Sequence, residues 1–437
     1  MITISDRGYW ITGAIVIMGI IGQWLDGPRP ALASQLWILP AALLVAALFA
    51  ERAALAAMQL NVKREVPQQV YLGESFDCEL ILTNNGRHDI HLEFQASYPE
   101  HFAANTAIRR YRIPRAGRLT DLLQLQPLQL GKSGLGDVHI KVLGFMGLVW
   151  WYRRIEDDVE LQVVPLGVTN KPRTMGERLA GARNSRTPVQ GGLEFLLHRE
   201  YQQGDPLQIV DWKASARSNE MMVRVMTREQ RMELVMLLDC GRTSQLQSGK
   251  LTRLHHNVNI VARLAELAVS HGDRIACITY ADQPLAVMPL ASGLDSLRKN
   301  RAILRNARSV PKESNMLAAA LQARKMLGHR ALVVALTDIS TGDDASQFTQ
   351  AVHLLSTKHL VVIASIDDTE IKTMRWKEAS HWMDPYRNFA ATEYCRQQKL
   401  TTMKLKQHGA SVITAAPEEL DQRVLDYYRE LRQRIAV

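Results

Sequence analysis

Two apolar runs open the chain, Tyr9 to Leu25 (YWITGAIVIMGIIGQWL) and Ala31 to Ala50 (ALASQLWILPAALLVAALFA), and no charged side chain interrupts either. As helices, runs of this length cross a hydrocarbon layer roughly 30 Å thick, so the pattern predicts membrane helices over about 9–25 and 32–50. Between them DGPRP cannot continue a helix, and Trp10, Trp24 and Trp37 stand where interfacial anchors belong. A cleaved leader ending at Ala31, Leu32 and Ala33 fits poorly, because the preceding MITISDRG is short and a second apolar run follows at once. The expectation for residues 1–60 is a two-helix transmembrane hairpin.

Over 61–168 the text changes to short alternating runs punctuated by turns, as where Asn84, Asn85 and Gly86 separate FDCELILT from DIHLEFQA. This predicts a small β-sandwich, with Gly144 to Trp151 (GFMGLVWW) as a packed corner. The GKS at Gly131 to Ser133 is not a phosphate loop, since Gln126 stands where that motif needs Gly; Gly249 and Lys250 fail likewise, following Ser244. Residues 169–230 read as a basic linker followed by a dense charged segment. From 231 to 437 near-continuous apolar strands (ELVMLLD, RIACITYA, ALVVALTDI, HLVVIASI) alternate with amphipathic helices, which predicts a doubly wound α/β domain.

Composition narrows the function classes. With 437 residues, 46% apolar and 22% charged, the chain can bury two sizeable cores. Its net charge of +9 is scattered and no nucleic-acid-reading motif accompanies it, so the basicity points to a membrane surface and not to nucleic acid. Cys78, Cys240, Cys277 and Cys395 lie far apart and form no metal-binding spacing. Arg7, Arg52, Lys63 and Arg64 on one side of the hairpin outnumber Arg29 in its turn, which places the soluble bulk in the cytoplasm at the inner membrane.

In doubly wound sheets ligands sit beyond the carboxyl ends of the strands, which singles out Asp239 after ELVMLL and Asp338 after VVAL. With Thr243 and Ser314 they form a candidate set of hard oxygen ligands suited to Mg²⁺, although Ser314 equally reads as a helix N-cap. The set is similar to the metal-dependent adhesion site of von Willebrand factor A domains, whose Asp-x-Ser-x-Ser motif is followed by a Thr and an Asp. The match is partial: Asp239 and Asp338 hold the acidic places, Thr243 can replace the second Ser and Ser314 is the nearest candidate for the later hydroxyl, whereas Gly241 stands where the first hydroxyl belongs.

The densest text is HREYQQGDPLQIVDWKASAR, from His198 to Arg217. Its Arg199, Glu200 and Tyr201, its Gly204 and Asp205, its Asp211, Trp212 and Lys213, and its Arg217 closely resemble the signature of the domain of unknown function 58 (DUF58) family. That resemblance implies the membrane hairpin, the β-rich region and a degenerate von Willebrand factor A-like domain, with a MoxR-type AAA+ ATPase as partner. Physically, six charged groups in so short a segment predict an ion-pair latch holding the linker to the α/β domain, with a partner-binding surface and a catalytic acid–base cluster as the alternatives. The reading that follows is a membrane-anchored, non-enzymatic adaptor. Two alternatives stay open: a metal-dependent hydrolase using Asp239 and Asp338, and an envelope-facing binding protein.

Overall fold

The computed structural model describes residues 2–26, 35, 37–56, 58–86, 88–96, 98–104, 108–156, 159–167, 194–218, 220–227, 231–339 and 344–436. The expected linker text 169–193 lies outside them. The chain divides into two compact units, Met1–Val164 and Pro165–Val437.

In the first unit a short strand β1 (Ile2–Ile4) leads into helix α1 (Asp6–Asp26), and α2 (Ile38–Ala56) follows. Among the described residues one helix is long and apolar enough to cross a membrane, over Ile38–Leu55 with mean hydropathy 1.9. The expectation of two such spans is corrected to one on this criterion, because Thr12, Gln23 and four glycines dilute α1. The second helix also starts and ends later than the expected 32–50, since Glu51 is held inside the β-rich body instead of ending the run.

Eleven further strands follow: β2 (Leu60–Glu65), β3 (Gln69–Tyr71), β4 (Phe76–Asn84), β5 (Ile90–Ala96), β6 (Phe102–Ala104), β7 (Arg109–Ile113), β8 (Arg118–Pro127), β9 (Gly131–Gly134), β10 (Val138–Leu143), β11 (Val149–Ile155) and β12 (Glu160–Val164). They form sheets ordered β1-β11-β10-β5-β7, β2-β4-β8-β6 and β3-β12-β9. Alternation decides which face is buried: Val138, Ile140 and Val142 of β10 point inward while His139 and Lys141 point away.

The corner between β10 and β11 grips both helices. Ser5 donates its hydroxyl to the Gly147 carbonyl at 2.5 Å and to that of Leu148 at 2.9 Å, while the Met146 N–H donates to Glu51 Oε1 at 3.0 Å. Glycine is required here, because a Cβ on Gly144 would overlap the Glu51 carboxylate and Gly147 has φ +72°. Ala47, Leu48 and Leu55 of α2 pack against Leu148, Val149 and Trp151.

In the second unit, a hairpin of β13 (Glu194–Glu200) and β14 (Met222–Thr227) carries helix α3 (Trp212–Ser218) in its connection. The α/β part contains β15 (Glu233–Asp239), a small hairpin of β16 (Gln247–Ser248) and β17 (Leu251–Thr252), α4 (Arg253–Ser270), β18 (Arg274–Tyr280), β19 (Pro284–Ala291), α5 (Gly293–Arg305), α6 (Met316–Met326), β20 (Leu332–Leu336), α7 (Asp344–Ser356), β21 (Leu360–Ile366), α8 (Thr369–Met374), α9 (Asp384–Gln407), β22 (Ala410–Ala415) and α10 (Pro417–Ala436). Its six-stranded sheet runs β19-β18-β15-β20-β21-β22, parallel except for the edge strand β19.

Every residue of β15 is buried, as expected of a strand covered on both faces. Val235 and Leu237 pack with Ala319, Ala323, Phe348 and Ala351 from α6 and α7 on one side. Helix α4 covers β15 and β18 as well, and packs against α5 and α10. From β15 the chain first builds outward through β18 and β19, then crosses back to β20 on the other side. That reversal opens a crevice at the carboxyl ends of β15 and β20.

Candidate functional site: an acidic cleft at the strand-order reversal

Asp239 closes β15, and Thr337 and Asp338 directly follow β20, so parallel pairing of Leu238 with Leu336 brings them side by side. A cleft of about 590 Å³ opens there, lined among others by Asp239, Thr243, Ser314 and Asp338. All four residues singled out from the sequence therefore share one crevice.

The Asp239 carboxylate is buried and fully engaged by neutral donors. Its Oδ1 accepts from the Ser314 hydroxyl at 2.5 Å and the Gly241 N–H at 2.8 Å, and its Oδ2 accepts from the Thr337 hydroxyl at 2.5 Å. Burial pushes its pKa up, and the bonds from Ser314 and Thr337 oppose that rise. Ser314 is free for this role because its neighbour Asn315 caps α6, accepting from the Ala318 N–H at 3.1 Å. Gly241 is explained at the same point. A Cβ there would overlap the Ser314 Oγ, so the hydroxyl missing from position 241 is supplied from position 314.

Beside this network stands Arg253, the first residue of α4, with its side chain only 6% exposed. Its Nη1 donates to Asp338 Oδ2 at 2.5 Å and its Nη2 forks onto the Asp368 carboxylate. Burial works against the Arg253 charge, but Asp338 and Asp368 outweigh it and the pKa ends above its ordinary value. Burial likewise lifts Asp338, Arg253 opposes the rise, and Asp368 adds to it. Tyr394, which also lines the cleft, is pushed up to about 12 by burial. The Cys240 thiol next to Asp239 is also pushed up to about 12, so it stays protonated and unreactive.

This arrangement does not fit Mg²⁺. Magnesium needs carboxylate oxygens open to a near-octahedral shell, whereas both Asp239 oxygens accept hydrogen bonds and a guanidinium already bridges Asp338 and Asp368. Among the described residues no group of three or more His, Cys, Asp or Glu could hold a metal ion. Arg253 and Asp368 are the residues the sequence reading missed. Asp368 was accessible to the strand-end rule, since it follows β21 by two residues. Arg253 carries no such signal.

The charged segment forms its own clasp. Arg199 donates both ends of its guanidinium to Asp205 at 2.6 Å, and Asp205 also accepts from the Gln202 N–H at 2.9 Å. Gly204, at φ +112°, makes the intervening turn. Asp211 starts α3 by accepting the Lys213 and Ala214 N–H groups at 3.1 Å each, and its other oxygen meets His198 at 3.0 Å. The Arg199 bond holds the Asp205 pKa below the usual carboxylate range, and the His198 bond does the same for Asp211. Glu200 pairs with Met222 at the end of the hairpin, and the Tyr201 N–H donates to the Met221 carbonyl at 2.8 Å. Lys213 and Arg217 lie on the short helix, whose Trp212 is 65% exposed. The latch expectation is corrected in its energetics: these ion pairs join residues within the segment and are accessible to water.

Comparison with known proteins attaches a family to this clasp, for residues 198–374 match the family described as "Protein of unknown function DUF58". This segment belongs to the DUF58 family. The match begins at His198 and runs through the clasp, Asp239, Arg253, Ser314, Asp338 and Asp368, ending at Met374. Among solved structures, that of the conserved hypothetical protein BatB from Bacteroides thetaiotaomicron is similar at 12% identity and a TM-score of 0.31, covering 45% of this chain and 99% of that one. Salmonella alpha-2-macroglobulin reacted with methylamine follows at 12% identity and a TM-score of 0.19, covering 24% of this chain and 7% of that one. No curated protein matches. For this segment the assignment concerns family alone, since DUF58 is a family of unknown function.

Proposed function

We propose that the protein is a membrane-anchored, non-enzymatic adaptor whose acidic cleft receives a basic side chain of a protein partner. The observation that carries this reading is the charge of the cleft: seven carboxylates and two guanidiniums are among its lining residues. That surplus of carboxylates around the cleft suits a lysine or arginine, which needs no coordination shell of the kind a metal demands. The partner we favour is a MoxR-type AAA+ ATPase, on the DUF58 resemblance. The α/β unit is then a degenerate relative of the von Willebrand factor A domain that has kept the crevice and replaced the metal with Arg253.

Anchorage is supported by the exposure of Ile38, Leu39, Leu43 and Phe49 along α2. Ser5 and Glu51 meet one corner of the β-rich unit, so α1 and α2 leave it together, as the two arms of a hairpin would. The basic residues Arg7, Arg52, Lys63 and Arg64 favour a cytoplasmic bulk at the inner membrane. Crosslinking in native membranes followed by mass spectrometry tests the whole. The expected result is an AAA+ ATPase joined to residues of the cleft, lost in Asp239→Asn. Crosslinks unaffected by that substitution, or a partner set without such an ATPase, would refute it.

A further inference from the structure

Four large aromatic side chains stand in water within a short stretch of the second unit: Trp376 is 82% exposed, Trp382 71%, Tyr386 69% and Phe389 73%. They lie on the connection from α8 to α9 and on the first turns of α9, beyond the residues that match the family. Each such ring presents about 150–250 Å² when it is covered. Isolated exposed apolar residues are ordinary, whereas four large exposed rings within fourteen residues single this stretch out as a contact surface.

The surface is built and not frayed. Asp384 accepts the Ser380 and His381 N–H groups at 2.9 and 2.8 Å, and Asn388 Nδ2 donates to the Lys377 carbonyl at 2.9 Å, tying the connection to α9. Tyr386 and Phe389 stand three apart in α9, on one side of the helix start, and Trp382 lies in the turn two residues before it. The Arg375 guanidinium lies 5.5 Å from the centre of the Trp376 ring, and Lys377 follows directly.

We infer that this aromatic surface is a second membrane contact, resting in the headgroup layer of an anionic phospholipid bilayer. Trp and Tyr combine an apolar body with a polar tip and settle at that depth, and flanking Arg and Lys reach lipid phosphates from it. The chain supplies the bilayer itself: an exposed apolar helix on the same polypeptide keeps a membrane at high local concentration, so a weak additional contact is populated. The inference rests on the anchor reading above.

The test uses the full-length chain in vesicles of phosphatidylcholine and phosphatidylglycerol with brominated acyl chains. An environment-sensitive fluorophore is placed by Trp382→Cys, by Phe49→Cys on α2, or by Arg298→Cys on α5, beside the opposite edge of the sheet, each in a Cys395→Ser background. The expected result is bromine quenching at positions 49 and 382, with a blue shift at 382, and none at 298. Quenching at 49 without quenching at 382 overturns the inference and leaves the anchor intact. Absence of quenching at 49 overturns both, and equal quenching at 382 and 298 overturns the dedicated surface.

Discussion

Ser314 occupies the space that a side chain at Gly241 would need, and from there it donates to Asp239 at 2.5 Å. The two positions are steric complements. Gly241→Ser alone is expected to destabilise the protein by about 1–3 kcal/mol through overpacking, and the double variant Gly241→Ser/Ser314→Gly to recover most of that loss. Thermal denaturation of the three proteins decides it; a neutral single variant would show that the crevice has room to spare.

The raised pKa of Asp239 has a definite sign in stability. A carboxyl group whose folded pKa lies above its unfolded value favours the folded state most when protonated, so its contribution is complete below about 3.8 and is lost as pH rises through the folded value. Asp239→Asn, which cannot ionise, is therefore expected to equal or exceed the parent in stability at neutral pH. Its advantage should shrink as the pH falls. Denaturant midpoints measured across that range check this, and an advantage that grew on acidification would refute it.

Arg253 pairs with both Asp338 and Asp368. Arg253→Gln leaves two carboxylates facing each other inside the cleft, at an expected cost of about 3 kcal/mol or more. Millimolar Mg²⁺ should restore part of that loss in the variant, while neither Mg²⁺ nor EDTA changes the parent. Melting temperatures with and without each reagent are the measurement.

In the clasp, Arg199 and Asp205 pair at a water-accessible surface. Arg199→Ala should leave global unfolding nearly unchanged and instead speed amide hydrogen exchange in β13 and β14. A drop in the global transition would show that the segment supports the α/β core.

The strand ends were legible because continuous apolar runs such as ELVMLL terminate abruptly in a carboxylate, and the fold turns such ends into crevice walls. Thr243 and Ser314 were legible through the hydroxyl pattern of the adhesion-type site, Ser314 as the nearest candidate ahead of a helix. Arg253 was not, because a basic residue at a helix start reads as solvated until the tertiary structure sets two strand-end carboxylates around it. The clasp residues were found as a cluster, but their partners depended on a hairpin register that spacing alone leaves open. The first helix shows the limit of a charge-free window, which counts glycine and glutamine as harmless although both weaken a membrane span.

The pairing of β1 with β11, Ile2 with Trp151 and Ile4 with Val149, carries a rule of parity. Strands that share hydrogen bonds lie on one side of a bilayer, so the chain must cross it an even number of times between residues 4 and 149. Among the described residues of that interval, α1 and α2 are the long helices. A single crossing would leave β1 and β11 in different compartments. On the hairpin proposed above, the less apolar α1 would cross together with α2, and the sheet edge thereby supplies a constraint that hydropathy alone lacks.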